Sequence, residues 1–460
     1  MTDHEASTAT GVRAEKGAVE LRAGLRGQLI RPGDDAYNEA RKLWNGMFDR
    51  RPALIARCAG TADVIRAVNF ARENGLPAAV RGGGHSFPGH SVCDGGVVID
   101  LSAMKAVWVD PATRTARAQA GAKWIDFDHE TQAFGLGTTG GTASDTGIAG
   151  LTLGGGLGWL SSKYGLTVDN LLSADVVTAD GRLLRASAKE NPDLFWGLRG
   201  GSGNFGVVTS FEYRLHAVGP TILGGMVLYP LSKAKEMLRF YRDFIKGAPD
   251  ELTTYAALLN PPDSETVAAL ICCYCGALDK GEAVVRPLRS FAPPLHDMLA
   301  PMPYATQQCL TDAALPAGSH YYTKGHFMAE LTDEAIEVFA EYAAIKPSPL
   351  SAVLIQTICG AASRVDPGAT AFAHRRLPYA PVIVSQWLDP KESEKNVGWA
   401  RDFWRALQPY AGGGVYVNDL GPDDGERVRI AYGGNYEQLV ALKKKYDPEN
   451  FFRLNPNIQP

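Results

Sequence analysis

A short glycine-rich stretch, Arg81-Gly82-Gly83-Gly84-His85, carries the side chains with the clearest chemical potential, and it follows the strand-like residues 76–80. Consecutive glycines allow neighbouring backbone N–H groups to turn toward one anion. The guanidinium of Arg81 would add a fork of donors suited to phosphate oxygens. His85 would then stand beside whatever molecule carries the phosphates. The stretch predicts a site for a phosphate-bearing cofactor, against the alternative of a glycine turn followed by a histidine packed in the core.

A second glycine-rich stretch covers residues 140–158, and its side chains are small throughout, as expected where extended backbone lies against a flat, polar cofactor. Residues 135–140 and 201–206 also spell G-x-G-x-x-G, the pattern of a dinucleotide-binding loop. That loop must follow a strand and open a helix. The first stretch follows a predicted helix, and the second leads into the predicted strand 207–213. Both therefore argue against a nicotinamide-binding Rossmann site.

Five segments together resemble the berberine-bridge-enzyme-like branch of the vanillyl-alcohol-oxidase superfamily, whose members are FAD-linked oxidases. In chain order these segments are residues 81–91, 140–171, 190–196, 199–208 and 446–452. The resemblance implies an α+β fold. Its parts are a PCMH-type FAD-binding domain of two α/β subdomains and a substrate domain whose antiparallel sheet is flanked by helices. The implied division is a loose N-terminal arm (1–20), the first part of the FAD-binding domain (21–218), the substrate domain (219–409) and a C-terminal segment that completes the FAD-binding domain (410–460).

The resemblance further implies FAD bonded covalently through its 8α-methyl group to His85, with His90 as the competing attachment residue. Many relatives carry a second bond from a cysteine in the second glycine loop. Ala143 occupies that position here and no other cysteine lies nearby, so a single linkage is expected. The residues that the resemblance assigns to FAD binding are Arg81, Gly82, Gly83, Gly84, His85, Ser86, Gly89, His90, Thr142, Ala143, Thr146, Gly147, Ala149, Gly150, Gly154, Gly155, Gly156, Gly158, Trp159, Gly206, Val207, Val208, Asn418, Asn455 and Asn457.

Flavin oxidation of an alcohol or amine needs a base for the heteroatom proton and a hydrogen-bonding or positive group near the flavin N1–C2=O edge. In relatives the base is a tyrosine that follows a Tyr-x-Asn triplet. Here Tyr416-Val417-Asn418 is followed by Asp419. The carboxylate that assists that tyrosine in relatives is replaced by Gln356, and the histidine near N1–C2=O is replaced by Leu151.

Asp419 is accordingly the candidate base, with its pKa raised by burial beside the flavin. The alternative is that Asp419 is a loop residue that faces water. Tyr416 is a second acid/base candidate. Tyr322 and His374 lie in segments that resemble family segments facing the flavin, and a purely structural histidine is the competing interpretation of His374.

The predicted activity is an FAD-dependent oxidase that removes hydride from a C–OH or C–N group of a small organic substrate and passes the electrons to O2, giving H2O2. One alternative is a dehydrogenase of the same fold that uses another acceptor. A second alternative is a flavin-bearing protein without turnover, because Gln356 and Asp419 both depart from the family pattern.

Composition excludes several other classes. The net charge of −4 provides no basic surface for nucleic acid, and no apolar run approaches the ~18 residues of a membrane span. The first seventeen residues are polar and lack the apolar stretch of a signal peptide, so we expect a cytoplasmic protein with seven reduced cysteines. The expected partners are a small-molecule substrate and O2, with no nucleic acid and no membrane, in a monomer or homodimer.

No metal site is expected either. Cys272, Cys273 and Cys275 lie in one apolar, strand-like run that lacks a second pair of ligands at zinc spacing. Alternation along a strand would also point Cys272 and Cys273 to opposite faces of a sheet. These cysteines therefore predict buried structural thiols.

The elements that must position these residues can be read from periodicity. Thr61 could cap a helix over residues 61–74, and a final helix is predicted from Tyr436 to Tyr446. Between them, amphipathic helices are predicted over residues 232–247, 332–345 and 391–408, separated by strand-like stretches such as 351–356 and 381–384. Strands with helices gathered on one side favour an α+β substrate domain.

Overall fold

The first glycine-rich loop leaves the carboxyl end of a strand in a small, mostly parallel sheet. The computed structural model describes residues 17–262 and 264–460. This first sheet has the order β1-β2-β4-β3, with β2, β4 and β3 parallel to one another. Parallel strands end at a common edge, and the loop that begins at residue 82 starts from that edge. The strands are β1 (Gln28–Ile30), β2 (Leu54–Arg57), β3 (Ala78–Arg81) and β4 (Val97–Asp100).

A second, antiparallel sheet follows with the order β5-β6-β10-β8-β9, and β7 pairs separately with β11. Its buried side chains belong to the same hydrophobic core as those of the first sheet. Both sheets therefore form one structural unit around the glycine loops. The strands are β5 (Val107–Asp110), β6 (Thr115–Gln119), β7 (Leu136–Gly137), β8 (Leu171–Val177), β9 (Leu183–Ser187), β10 (Val207–Arg214) and β11 (His216–Ala217).

The third sheet is entirely antiparallel and has the order β15-β12-β14-β13-β18-β19-β17, with β16 also paired to β12. Cys272 and Cys273 pack into different hydrophobic clusters on its two faces, as alternation predicted. The strands are β12 (Thr221–Pro230), β13 (Leu252–Leu259), β14 (Val267–Tyr274), β15 (His296–Asp297), β16 (Ala300–Pro303), β17 (His320–Gly325), β18 (Ala352–Thr357) and β19 (Tyr379–Trp387).

Helices cover one face of this third sheet and leave part of the other face to the functional site. Met237, Phe339 and Phe403, from three amphipathic helices, pack with strand residues on the covered face. The α+β class is thereby confirmed. The helices are α1 (Tyr37–Ala40), α2 (Thr61–Glu73), α3 (Trp124–Gln132), α4 (Ile148–Leu153), α5 (Ser161–Tyr164), α6 (Pro192–Leu198), α7 (Ala234–Phe244), α8 (Leu278–Ser290), α9 (Tyr304–Gln308), α10 (Asp333–Ala344), α11 (Ala361–Arg364), α12 (Ser393–Leu407), α13 (Val428–Tyr432) and α14 (Tyr436–Tyr446).

The C-terminal segment returns to the first half of the chain. Lys443, on α14, is fully buried and its ammonium donates to the backbone carbonyls of Asn204 and Phe452 and to the carboxylate of Asp447. The backbone N–H of Ile458 donates in turn to the side chain of Asn204. These contacts fasten the last residues of the chain beside the loop that precedes β10.

Several features of the structure differ in detail from those predicted from the sequence. The predicted Thr61 cap is wrong, because α2 follows Gly60 without a side-chain cap. The Asp63 carboxylate instead accepts the backbone N–H of Ala59, in the loop before α2, and that of Gly27, which precedes β1. Residues 1–16 of the predicted arm lie outside the described residues, whereas residues 17–24 are helical. No described helix is both long and apolar enough to span a bilayer.

Candidate active site

A cavity of about 380 Å³ lies between the two glycine loops, the C-terminal segment and the uncovered face of the third sheet. Within the described residues, its lining includes no lysine, arginine or cysteine. The sequence-predicted residues that line it are Gly82, Gly83, Gly84, His85, Ser86, His90, Thr142, Ala143, Thr146, Gly147, Ala149, Gly150, Gly206, Val208, Gln356, Tyr416, Asn418, Asp419 and Asn455.

The two glycine loops touch each other backbone to backbone. A Cβ atom added at Gly83 would lie 2.5 Å from the Cα of Gly147, and one added at Gly147 would lie 2.5 Å from the backbone nitrogen of Gly83. Side chains never approach a backbone so closely, so both positions require glycine. This contact fixes the first loop against the start of α4, and both loops form one wall of the cavity.

Other glycines leave room that the protein itself does not fill. Gly150 and Gly203 both line the cavity, and a Cβ atom added at either would meet no protein atom within 4 Å. Buried polar atoms also lack partners there, namely Oδ1 of Asn455 and Nδ1 of His90. Burial, reinforced by the positive charge of Arg50, lowers the pKa of His90 to about 4, so this histidine is neutral near pH 7. A long, polar ligand such as the expected FAD fits these features.

His85 is held from two directions in the first glycine loop. Its imidazole stacks on Trp44, with the ring centroids 4.5 Å apart. Its Nε2 atom lies 3.0 Å from Oδ2 of Asp145, a residue of the second glycine loop. The other oxygen of Asp145 accepts from the ammonium of Lys123. Burial alone would raise the pKa of Asp145, but the hydrogen bonds from His85 and Lys123 outweigh burial and lower this pKa to about 2. Asp145 is therefore a carboxylate at every physiological pH.

Arg81 has a different role from the predicted one. Its two terminal guanidinium nitrogens donate to the backbone carbonyls of Ala40 and Lys42, at the end of α1, and the side chain does not line the cavity. The last carbonyls of a helix lack partners within the helix, which explains why a buried cation settles there. Arg81 thus binds the backbone at the end of α1, and its side chain does not reach the cavity.

Trp44 and Asn45 connect the His85 loop to the third sheet. Trp44, which stacks on His85, also stacks on Tyr321 of β17 with the ring centroids 3.8 Å apart. The fully buried amide of Asn45 donates to the carbonyls of Phe87 and Tyr321 and accepts from the N–H of Tyr321. The position of His85 is therefore tied to β17, the strand that also contacts Asp419 through Gly325.

Asp419 lines the cavity and is buried, not directed to water. Its carboxylate lies against Gly325 of β17, and its backbone carbonyl accepts a hydrogen bond from Thr323. No described residue donates a hydrogen bond to the carboxylate oxygens. Burial raises the pKa of Asp419 to about 7, only partly opposed by the positive charge of Arg427. A carboxyl group of this kind exchanges a proton readily near neutral pH.

Tyr416 is arranged as a donor rather than a base. Its hydroxyl oxygen accepts from the backbone N–H of Gly156 at 2.9 Å and from the side-chain amide of Asn418 at 2.8 Å. Burial, together with the nearby negative charge of Asp419, raises the pKa of the Tyr416 hydroxyl. The hydroxyl therefore keeps its proton near neutral pH and can donate it toward the cavity.

Gln356 lines the cavity from β18 and has no described hydrogen-bond partner for its amide. Leu354 of the same strand and Val382 and Val384 of β19 surround it on the uncovered face of the sheet. Leu151 of α4 also lines the cavity. This part of the cavity wall, formed by β18, β19 and α4, is therefore apolar except for one neutral amide.

Tyr322 and His374, the remaining acid/base candidates, lie elsewhere. Alternation along β17 directs Tyr322 to the helix-covered face, where its hydroxyl bonds to Asp423 and Arg401. His374 is half-buried and bonds through Nε2 to the carbonyls of Ile430 and Ala431. Both are structural residues here, so the assignment of Tyr322 to catalysis is wrong.

Several residues assigned to FAD contact instead pack within the protein. Added Cβ atoms at Gly154 and Gly156 would collide with Asn418 and Thr167, so these glycines serve packing between loops. Part of the second glycine stretch is also the helix α4, where extended backbone was expected. Besides Arg81, the assigned residues that do not line the cavity are Gly89, Gly154, Gly155, Gly156, Gly158, Trp159, Val207 and Asn457.

Trp44, Lys123 and Asp145 were missed by sequence reasoning. Asp145 is the one charged residue in the glycine-rich stretch 140–158, which was an available signal. Trp44 and Lys123 belong to segments distant in sequence from both loops, and no motif marks them. Their contribution depends on how the chain folds.

Comparison with known proteins gives consistent matches over almost the whole chain. Residues 52–187 match a family model described as FAD binding domain, and residues 415–459 match one described as berberine and berberine like. An FAD-linked oxidoreductase of Dictyostelium discoideum is 35% identical over 441 residues, covering 95% of both chains. The (R)-6-hydroxynicotine oxidase of Paenarthrobacter nicotinovorans is 31% identical, covering 95% of this chain and 97% of its own. The crystal structure of 6-hydroxy-D-nicotine oxidase from Arthrobacter nicotinovorans has a TM-score of 0.88 at 30% identity, covering 95% of this chain and 98% of its own.

Proposed function

This chain belongs to the berberine and berberine-like family of FAD-linked oxidoreductases, as its sequence predicted, and on that premise we propose that it is a covalent FAD oxidase of a small, largely apolar alcohol or amine. One observation carries the proposal: the buried carboxyl group of Asp419 and the loop of His85 line the same cavity. The proposed proton acceptor and the proposed attachment residue of the cofactor thus line one cavity.

The covalent bond is proposed to form at Nδ1 of His85. Asp145 occupies Nε2 of the same ring, so Nδ1 is the nitrogen left to bond with the 8α-methyl carbon. Ala143 lines the cavity where many relatives have a cysteine, and no described cysteine lines it, which supports a single linkage. The residues best placed to hold FAD are the cavity-lining members of the two glycine loops together with Gly206, Val208, Asn418 and Asn455.

Bound FAD would accept hydride from the substrate carbon and pass both electrons to O2, giving H2O2. Asp419 would accept the proton of the substrate hydroxyl or amine, because about half of it is ionised near its pKa of about 7. Tyr416, which keeps its own proton, would orient the substrate heteroatom by donating a hydrogen bond. Substrate would bind against the apolar part of the cavity wall formed by β18, β19 and α4, where Gln356 alone offers a polar contact. Such a wall favours a compact substrate with few charges.

The linkage is tested by denaturing the purified protein in acid and mapping any flavin that stays on the polypeptide. We expect one flavin on the peptide that contains His85. The His85→Ala variant should bind FAD that acid extracts completely, and the matched His90→Ala variant should keep its flavin. Flavin on His90, or none retained by the wild-type protein, would refute the linkage.

Oxidase activity is tested separately on the reduced protein. Dithionite-reduced enzyme should reoxidise in air within the mixing time, and a panel of alcohols and amines should include substrates that yield H2O2. Slow reoxidation in air, with fast reoxidation by a quinone, would identify a dehydrogenase. If air reoxidises the protein fast but no alcohol or amine in the panel is oxidised, O2 is supported as the electron acceptor and the proposed substrate class is not supported.

A further inference from the structure

His85 has a partner pair that the reaction on substrate does not use. We propose that Asp145, held in place by Lys123, is a positioning residue for covalent attachment of the flavin, because it keeps the imidazole proton on Nε2 and leaves Nδ1 as the nucleophile. This inference rests on the proposed covalent linkage. Beyond that linkage, the inference assigns Asp145 and Lys123 a role in its formation.

The geometry fixes the tautomer of His85. A carboxylate only accepts hydrogen bonds, so Asp145, 3.0 Å from Nε2, requires a proton on that nitrogen. The neutral ring then carries its lone pair on Nδ1. Stacking on Trp44 fixes the plane of the ring and Asp145 fixes its rotation within that plane. Both constraints are needed to direct one nitrogen at one carbon atom.

Lys123 fixes the carboxylate in turn. Its ammonium binds Oδ1 of Asp145, and its backbone is fixed at the start of α3, where its N–H donates to Asp126 at 3.0 Å. The backbone of Lys123 also bridges to Gly147, the glycine that contacts the first loop. Lys123, Asp145 and His85 therefore form a chain of contacts across both glycine loops.

The chemical step balances with O2 as the oxidant. A C–N bond forms between Nδ1 and the 8α carbon, replacing one C–H bond of the methyl group and the N–H bond of the imidazole. The two protons and two electrons removed pass to O2 and leave as H2O2. When Nδ1 bonds, the imidazole becomes positively charged until Nε2 releases its proton. The carboxylate of Asp145 stabilises that charge at hydrogen-bond distance.

A stabilising role does not account for the pair. The side chains of Asp145 and Lys123 are 48% and 36% exposed, and ion pairs of such exposure contribute only about 0–1 kcal/mol to stability. A carboxylate in a stretch of small residues is therefore better explained by its contact with His85. Losing the carboxylate that orients a metal-bound histidine typically costs about 10- to 100-fold, and we expect a cost of the same order where the histidine bonds to carbon.

The test uses protein made under riboflavin limitation and then given FAD, with flavin retained after acid denaturation measured over time. We expect Asp145→Asn to bind FAD but to attach it at least about 10-fold more slowly than wild type. Lys123→Met should slow attachment less, and Asp145→Glu should restore part of the rate. Binding of FAD, measured by fluorescence quenching, shows that each variant is folded.

Asp312→Asn is the matched control. The carboxylate of Asp312 accepts from the backbone N–H and the hydroxyl of Ser144, so it anchors the same loop without touching His85. This control should attach FAD at the wild-type rate. Attachment by Asp145→Asn at the wild-type rate, or equal slowing in both variants, would overturn the inference while leaving the linkage intact. A wild-type protein that never retains flavin would overturn the linkage as well.

Discussion

Replacing Asp419 by asparagine separates its chemistry from its packing, because the two side chains have nearly the same shape. With a pKa of about 7, roughly a tenth of the wild-type carboxyl groups are ionised at pH 6 and roughly nine tenths at pH 8. The rate of anaerobic flavin reduction should therefore rise about tenfold per pH unit below pH 6, rise less steeply through pH 7 and level off above pH 8. In Asp419→Asn this rate should fall at least ~10²-fold at pH 8 and lose that pH dependence.

The same substitution that slows flavin reduction should raise the free energy of unfolding. The native protein holds the Asp419 proton between pH 4 and 7, where the unfolded chain has already lost it, so this residue makes the native state progressively less stable as pH rises through that window. A shift from 3.8 to about 7 corresponds to about 4 kcal/mol above pH 7. Asp419→Asn should thus unfold at higher urea concentration than wild type at pH 8, and at a similar concentration at pH 4.

Stopped-flow absorbance of the flavin with one identified substrate, and urea titrations at pH 4 and 8, measure both effects. Tyr416→Phe is the control, since it removes a neighbouring hydroxyl and leaves the carboxylate, and it should keep the pH midpoint near 7. Wild-type reduction rates in Asp419→Asn would refute Asp419 as the base. Equal urea midpoints for both proteins at pH 8 would refute the raised pKa.

Gln356→Glu adds a second carboxyl group to the cavity and should move the pH midpoint of flavin reduction above 7, because like charges disfavour ionisation of Asp419; an unmoved midpoint would contradict a shared cavity. Gly147→Ala should be purified with little FAD, measured by its absorbance ratio, since its methyl group would collide with Gly83. Lys443→Met should lower the free energy of unfolding in urea by about 3–5 kcal/mol, because its carboxylate partner stays buried without a counter-charge; a loss below 1 kcal/mol would refute that role.

The sequence predicted the elements well where periodicity was strong. The last helix begins at Tyr436 and ends at Tyr446 as expected, and the α+β class with helices on one face of an antiparallel sheet is confirmed. Asp419 was chosen because it directly follows the triplet that begins at Tyr416, and it does line the cavity. Local pattern and family resemblance suffice for features of this kind.

Contacts between distant segments were not predictable in the same way. Arg81 has the chemistry of a phosphate ligand, yet its guanidinium binds the carbonyl of Ala40, the last residue of α1, and that of Lys42 just beyond it. Tyr322 belongs to a family-like segment, but the register of β17 turns it to the covered face. Glycines such as Gly154 and Gly156 serve neighbouring loops, since a short side chain has the same sequence signature whether it makes room for a cofactor or for another part of the protein.

The return of the C-terminal segment to the first half of the chain also governs when FAD can be captured during biosynthesis. Phe452, Leu454, Asn455 and Pro456 line the same cavity as the loop of His85, and the ammonium of Lys443 binds the carbonyl of Phe452. At ribosomal elongation rates of ~5–20 residues per second, the tail emerges roughly 20 to 70 s after the His85 loop. The cavity is unfinished throughout that interval. We therefore expect completed chains rather than nascent ones to capture flavin, so that a shortage of FAD would accumulate full-length protein with an empty cavity.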